Sequence, residues 1–223
     1  MKNYLRIATV LCTALAMLVA TAAPASASYT GFAGTAYENW EDQTSFSSDV
    51  TLVNGVPYQL KGDVNWIVYA PGNFPDVYKG LGYAPKDNEF TYVYQVVSQG
   101  NDAIHKISVD VENSADNIGA FGSGVAPGQA VLSPPDATYW AFPDPNSIGQ
   151  LQPLSQMLAF SSTQSPDEFY GQVFDGGNIA DLDVLPGPGT ITIVVPEPST
   201  LCLALVGLAM WAAAWVARRR LGK

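Results

Sequence analysis

The 223-residue chain holds two cysteines and one histidine, and outside its two ends it holds no arginine. Cys12 and Cys202 both fall in apolar end segments, so the body between them, residues 28–195, has neither a disulfide nor a thiol. Zinc, haem and iron–sulfur centres need several His or Cys ligands, and this body cannot supply them. Its single histidine, His105, would have to serve any Ser–His–Asp site. It sits within a strand-like run rather than in a loop at a strand end, and no G-x-S-x-G elbow presents a nucleophile. No catalytic residue is assigned, and the body is expected not to be an enzyme. The absence of arginine also removes the guanidinium fork that grips phosphate. With 4 Lys against 19 carboxylates the body carries a formal charge of −15, a field that repels nucleic acid.

What charge balance the chain does have is concentrated at its ends. Lys2 and Arg6 precede an apolar run from Ile7 to Ala22, followed by Pro24 and the small triplet Ala25-Ser26-Ala27. A basic start, a short apolar stretch and an A-x-A site predict a removable signal peptide over residues 1–27, which would engage the Sec translocon and signal peptidase. At the other end, residues 200–217 are 18 uncharged positions, about 27 Å of helix and just enough to span a bilayer core. Arg218, Arg219 and Arg220 follow at once. By the positive-inside rule they form a cytoplasmic stop and leave the acidic body outside, the topology that the signal peptide also requires.

Just ahead of this expected transmembrane helix stands Val195-Pro196-Glu197-Pro198-Ser199-Thr200. Motif, apolar helix and terminal basic cluster together resemble the PEP-CTERM sorting signal, here covering residues 196–223. The resemblance implies that exosortase, a membrane-embedded protease of exopolysaccharide-producing Gram-negative bacteria, is a processing partner. It marks Val195, Pro196, Glu197 and Pro198 as the sorting motif. The two prolines keep this stretch extended and out of the helix, exposing its backbone at the membrane surface. The expected route is export, an inner-membrane intermediate, then the cell surface or extracellular matrix.

Glycine, proline and aromatic residues supply 18, 13 and 22 of the 168 body positions, a composition for short strands and many turns rather than long helices. Asp49–Val53 and Val56–Leu60 flank Asn54-Gly55, a strong hairpin signal. Val64–Ala70 is apolar on both faces, as in a buried central strand. Phe90–Ser98 and Ala103–Val111 are expected to pair as a second hairpin with one wet face. Ala130–Ser133, Ala137–Phe142, Phe169–Phe174 and Thr190–Val195 are further strand candidates, and Leu154–Phe160 is either strand or a helical turn or two. About eight strands without αβ alternation predict an all-β, antiparallel β-sandwich ectodomain over residues 28–195.

Three kinds of site remain open in that ectodomain. Asp175, Asn178, Asp181 and Asp183 offer hard oxygen ligands around Gly176-Gly177 that suit calcium, although their spacing departs from the EF-hand loop. Trp40, Tyr83 and Trp140 could stack on sugar rings, but a sandwich also needs large aromatics inside. A carboxylate-dependent glycoside hydrolase needs two acids at a set separation, and spacing along the chain cannot select the pair. The leading reading is a non-catalytic surface or matrix protein. A polysaccharide-binding module is the alternative, with acidic exopolysaccharide, bridged by divalent cations, as a conceivable partner.

Overall fold

The structure, a computed structural model, describes residues 31–111, 115–133 and 137–189. The signal segment, the sorting motif, residues 200–217, Arg218–Arg220 and the strand expected over Thr190–Val195 lie outside the described residues. Within them the chain forms β1 (Glu41–Ser47), β2 (Thr51–Val53), β3 (Val56–Tyr58), β4 (Lys61–Tyr69), β5 (Phe90–Ser98) and β6 (Lys106–Asp110). β7 (Ala115–Phe121), β8 (Gln129–Ser133), β9 (Ala137–Ala141), β10 (Met157–Ser162), β11 (Pro166–Phe174) and β12 (Ile179–Pro188) complete the series. Among the described residues there is no α-helix, and no helix is long and apolar enough to cross a membrane.

Two five-stranded antiparallel sheets result, in the orders β1-β4-β5-β10-β7 and β12-β11-β6-β9-β8, with β2 and β3 forming a separate hairpin. One core fills the space between the sheets. Val64, Trp66, Val68, Tyr92, Tyr94, Leu158 and Phe160 come from the first, and Ile107, Val109, Trp140, Val173 and Leu182 from the second. The rings of Phe160 and Tyr92 stack at 4.8 Å between centroids, and Phe160 also lies 6.4 Å from Trp140 of the opposite sheet. Two antiparallel sheets sharing one core of inward-facing side chains make a β-sandwich.

The first sheet is covered on its outer face as well. Residues 70–89, the connection from β4 to β5, fold back over it and insert Phe74, Tyr78 and Tyr83 against Ile67, Tyr69, Val93 and Phe121. Phe74 contacts four of these rings, at 5.5–6.0 Å. The phenols find partners: Ala33 N–H donates to Tyr78 Oη at 2.7 Å, and Tyr69 Oη donates to the Ala33 carbonyl at 2.7 Å. β4 and β5 are therefore buried on both sides, which is why their sequences are apolar at consecutive positions instead of alternating.

The sequence expectations fare unevenly. The Asn54-Gly55 hairpin forms, with positive φ at both turn residues (52° and 78°). Val64–Ala70 is the inner strand it promised to be. The second expected hairpin does not form: β5 pairs with β4 and β10, whereas β6 pairs with β9 and β11 in the other sheet. The link between them crosses from sheet to sheet, its turn held by Gln99 and Gly100 N–H groups donating to the Lys61 carbonyl at 2.8 Å. The wet face expected of β6 is only partly so: Asp110 is exposed and Lys106 half-buried, but Ser108 between them is buried, and Ile107 and Val109 face the core. Of Leu154–Phe160, the part from Met157 on lies in β10 while Leu154 and Ser155 form isolated bridges, and β1, β7 and β12 are strands beyond those expected. β1 is an edge strand of mostly exposed polar residues, so it lacks the apolar alternation by which strands are found.

Two measurements test this packing. Phe160→Ala removes the ring shared by both sheets and should cost about 3–5 kcal/mol in urea unfolding. Burial, as the leading cause, raises the phenols of Tyr83 (to about 12), Tyr92 and Tyr94 above the ordinary value of 10.0. The folded protein holds these protons at pH values where the unfolded chain loses them, so their contribution is complete below pH 10 and declines as pH rises toward the folded values. Unfolding midpoints should fall steeply above pH 10, with ultraviolet titration showing three phenols that ionise only on unfolding.

Candidate functional site

The β5–β6 link, the β9–β10 connection and the β11–β12 turn meet at one end of the sandwich, around His105. Its Nε2 lies 3.2 Å from Asp144 Oδ1 and its Nδ1 lies 3.3 Å from Asp175 Oδ1. The backbone holds it there: His105 N–H donates to the Phe174 carbonyl, and Phe142 N–H donates to the His105 carbonyl. Ser147 Oγ donates to Asp144 Oδ1 at 3.2 Å, so the hydroxyl sits on the carboxylate and not on the imidazole. That order cannot activate a serine nucleophile, which needs its base directly on the hydroxyl. A cleft of about 300 Å³ opens beside the cluster, lined in part by Asn101, Asp102, Pro145 and Gln150.

The four candidate calcium ligands do not come together. Asp175 and Asn178 stay at this end, where Asn178 Nδ2 donates to Asp102 Oδ2 at 2.7 Å and Asn178 Oδ1 accepts from Thr51 Oγ1 at 2.5 Å. The glycine-rich turn ends at Asn178, because β12 starts at Ile179 and carries Asp181 and Asp183 away along the outer face of the second sheet. Among the described residues no three His, Cys, Asp or Glu side chains converge as a metal site.

The candidate sugar-stacking rings are also redistributed. Trp140 is completely buried, with its Nε1 donating to the Gly119 carbonyl at 2.9 Å, and Tyr83 is 5% exposed on the inward side of the 70–89 connection, its hydroxyl 2.9 Å from Ser161 Oγ. Neither offers a ring face to a sugar, since both fill the interior that a sandwich without disulfides must pack with large side chains. Trp40 is half-buried, 6.2 Å from Trp66.

The exposed aromatic surface lies elsewhere, on the outer face of the second sheet. In-register pairing sets Asp181, Gln172, Ser108, Tyr139 and Val131 in one row across all five strands. Ile179, Phe174, Lys106, Ala141 and Gln129 form the adjacent row. Lys106 Nζ rests 4.3 Å above the Tyr139 ring and 4.9 Å from that of Phe174. On the other side a bulge interrupts the β11–β12 register, so that Asp183 and Val184 together oppose Tyr170, as a bulge places two residues against one. None of Tyr170, Gln172 and Asp110 was singled out from the sequence. The signal was nevertheless present in Tyr170-Gly171-Gln172-Val173, where large polar residues alternate with small or apolar ones.

Two pairs of acids influence each other's protonation, Asp102 with Asp175 and Glu89 with Asp116. Lys86 Nζ lies 3.4 Å from Glu89 Oε1 and pairs with Asp116 as well. Burial first, and then Asp116, raise the Glu89 carboxyl above its ordinary value. Burial likewise raises Asp102, with Asp175 adding to the shift and the Asn178 hydrogen bond opposing it.

Comparison with known proteins gives one match. Residues 194–220 match the PEP-CTERM protein-sorting motif, so the chain carries that motif, as its Pro-Glu-Pro, apolar stretch and basic cluster led us to expect. No curated protein and no solved structure matches the chain.

The burial of Asp102 has a measurable sign. Folded Asp102 keeps a proton that the unfolded chain has already released, so this site is most favourable below the ordinary carboxylate pKa of 3.8 and weakens as pH rises through the folded value. Relative to Asp102→Asn, the wild-type chain should lose thermal stability as pH rises from about 3.8 toward neutrality. A difference between their unfolding midpoints that stays constant over this range would contradict the assignment.

Proposed function

We propose that the chain is an exported, non-catalytic surface or matrix protein whose acidic β-sandwich is delivered through the Sec route and released from the inner membrane by exosortase. The match of residues 194–220 to the PEP-CTERM protein-sorting motif carries this reading, because the motif implies export and processing by exosortase. The body supports it through what its residues are used for. His105 is held between two carboxylates, Glu89 and Asp116 are both paired with Lys86, and large rings such as Trp140, Tyr94 and Phe160 are committed to the interior.

The order of events follows from the sequence. Once residues 1–27 are removed, the body lies outside while the apolar stretch before Arg218 remains in the membrane. Pro196 and Pro198 then present an extended backbone flanking Glu197 to the protease. After cleavage the mature protein lacks its hydrophobic stretch, much as a GPI signal leaves no helix behind.

The test places one epitope tag after Ala27 and a second after Lys223, then follows both through fractionation in cells with and without the sorting protease. The front tag should leave the membrane, and part from the rear tag, only when the protease is present. Replacing Pro196-Glu197-Pro198 by three alanines should keep both tags together in the membrane. Release of the front tag in cells lacking the protease would overturn the proposal.

A further inference from the structure

The two sheets differ in how their outer faces are used. The first is covered by the 70–89 connection, but among the described residues no comparable connection packs on the outer face of the second. There Asp110, Tyr170, Gln172, Asp181 and Asp183 line an open depression of about 440 Å³. Tyr170 is 66% exposed although it lies in the middle of β11, flanked by strands on both sides. An exposed ring beside a few hydrogen-bonding groups in one depression is the mix of apolar and polar surface that ligand sites use.

From this geometry we infer that the depression around Tyr170 binds a neutral polysaccharide, with a sugar ring on the tyrosine face and its hydroxyl groups donating to the surrounding carboxylates. Three observations select that ligand. First, the polar groups are mainly acceptors. The carboxylates of Asp110, Asp181 and Asp183 cannot donate when ionised, and Gln172 spends one amide hydrogen on Asp181 Oδ1 at 2.9 Å. A partner rich in hydroxyl donors satisfies them, whereas phosphate, sulfate or uronate groups meet only like charge. The nearest cation, Lys106, is held over Tyr139 and Phe174 in the neighbouring rows.

Second, the carboxylates are spread over a flat surface instead of converging. Among the described residues no three acids gather as a metal site, so a bare divalent cation does not explain the arrangement. Third, where the β11–β12 register shifts, Asp183 and Val184 both stand opposite Tyr170, so that an acceptor lies beside the ring in the same depression. Bulges of this kind often re-aim a side chain beside a binding site. The depression is open along the sheet, which suits an internal segment of a polymer better than an enclosed small molecule. A neutral polymer also replaces the acidic exopolysaccharide considered from the sequence alone. The inference stands independently of whether the sorting tail is cut.

Native affinity electrophoresis of the full chain in mild detergent tests it. The gels contain hydroxyethylcellulose, a β-mannan or a galactan as neutral probes, with alginate and polylysine as charged controls. At least one neutral polymer should retard the protein and alginate should not. Tyr170→Ala should weaken that retardation about tenfold or more, in line with the loss of a central aromatic contact, and Gln172→Ala should weaken it as well. Val77→Ala, on an exposed residue outside this face, should change nothing. Because Tyr170 is solvent-facing, its variant should lose no more stability than the small difference in strand propensity and should still unfold cooperatively, which separates lost binding from lost folding. Three results would each overturn the inference: no retardation by any neutral polymer, neutral retardation that survives Tyr170→Ala, or binding to polylysine or to calcium-loaded alginate alone.

Discussion

Everything in the sandwich leans on the ring of Phe160. It stacks on Tyr92 within its own sheet and reaches Tyr94 and Trp140, the last of these contributed by the opposite sheet. Exported domains of modest size commonly lock their sheets together with disulfides, but this body has no cysteine to do so. Its sheets are held instead by aromatic area, where each large ring buries roughly 150–250 Å² and adds a preferred pair geometry. The hydroxyl and indole groups carried inside are satisfied in place: Tyr92 Oη donates to the Gln164 carbonyl, Tyr94 Oη to that of Pro186, and Trp140 Nε1 to that of Gly119. An unpaired polar group at any of these points would cancel part of what the ring contributes.

The same reliance on aromatics explains the covering of the first sheet. A nine-residue strand such as β5, with eight buried positions, cannot leave either face in water. The 70–89 connection supplies the second cover, with Phe74, Tyr78 and Tyr83 taking the place that a helix layer occupies in α/β folds. Twenty residues, regular only in a short 3₁₀ turn at Asp76–Tyr78, are long for a connection within a compact domain, and this length is used for packing. The second sheet alternates in the ordinary manner. Val109, Ile107, Val173 and Leu182 face inward, while Asp110, Lys106, Gln172 and Asp181 face out. One sheet is spent on both sides for stability, and the other keeps a face for use.

The parts legible in the sequence were those governed by local rules. Asn54-Gly55 dictates its turn because both residues tolerate positive φ, and the run Val64–Tyr69 is too apolar for anything except an inner strand. The all-β class followed from composition. Pairing was not legible, since Phe90–Ser98 and Lys106–Asp110 stand close in sequence as hairpin partners do. What separates them is the two-sided burial of β5, and that depends on a connection whose folding no local pattern announces. β12 was hidden for a related reason: the glycines before it suggested a longer turn, so Asp181 and Asp183 were grouped with Asp175 when they belong to a strand. The candidate rings Tyr83 and Trp140 were drawn inward by the same demand for aromatic area that organises the core.

Sorting tail and body also obey different physics, which is why only one of them matches a known family model. The motif at residues 194–220 must fit a membrane and a protease, and those requirements fix its prolines, its apolar length and its basic end nearly independently of what precedes it. The body must remain folded outside the cell without cysteines, a requirement that many sequences can meet. Fold alone therefore says little about its task. The informative feature is Tyr170, a ring left 66% exposed at the centre of a strand, opposite a bulge and beside carboxylates, in a body whose net charge repels anionic partners. The hydroxyl-rich partner inferred above would meet those acceptors without the like charge that a uronate or a phosphate brings.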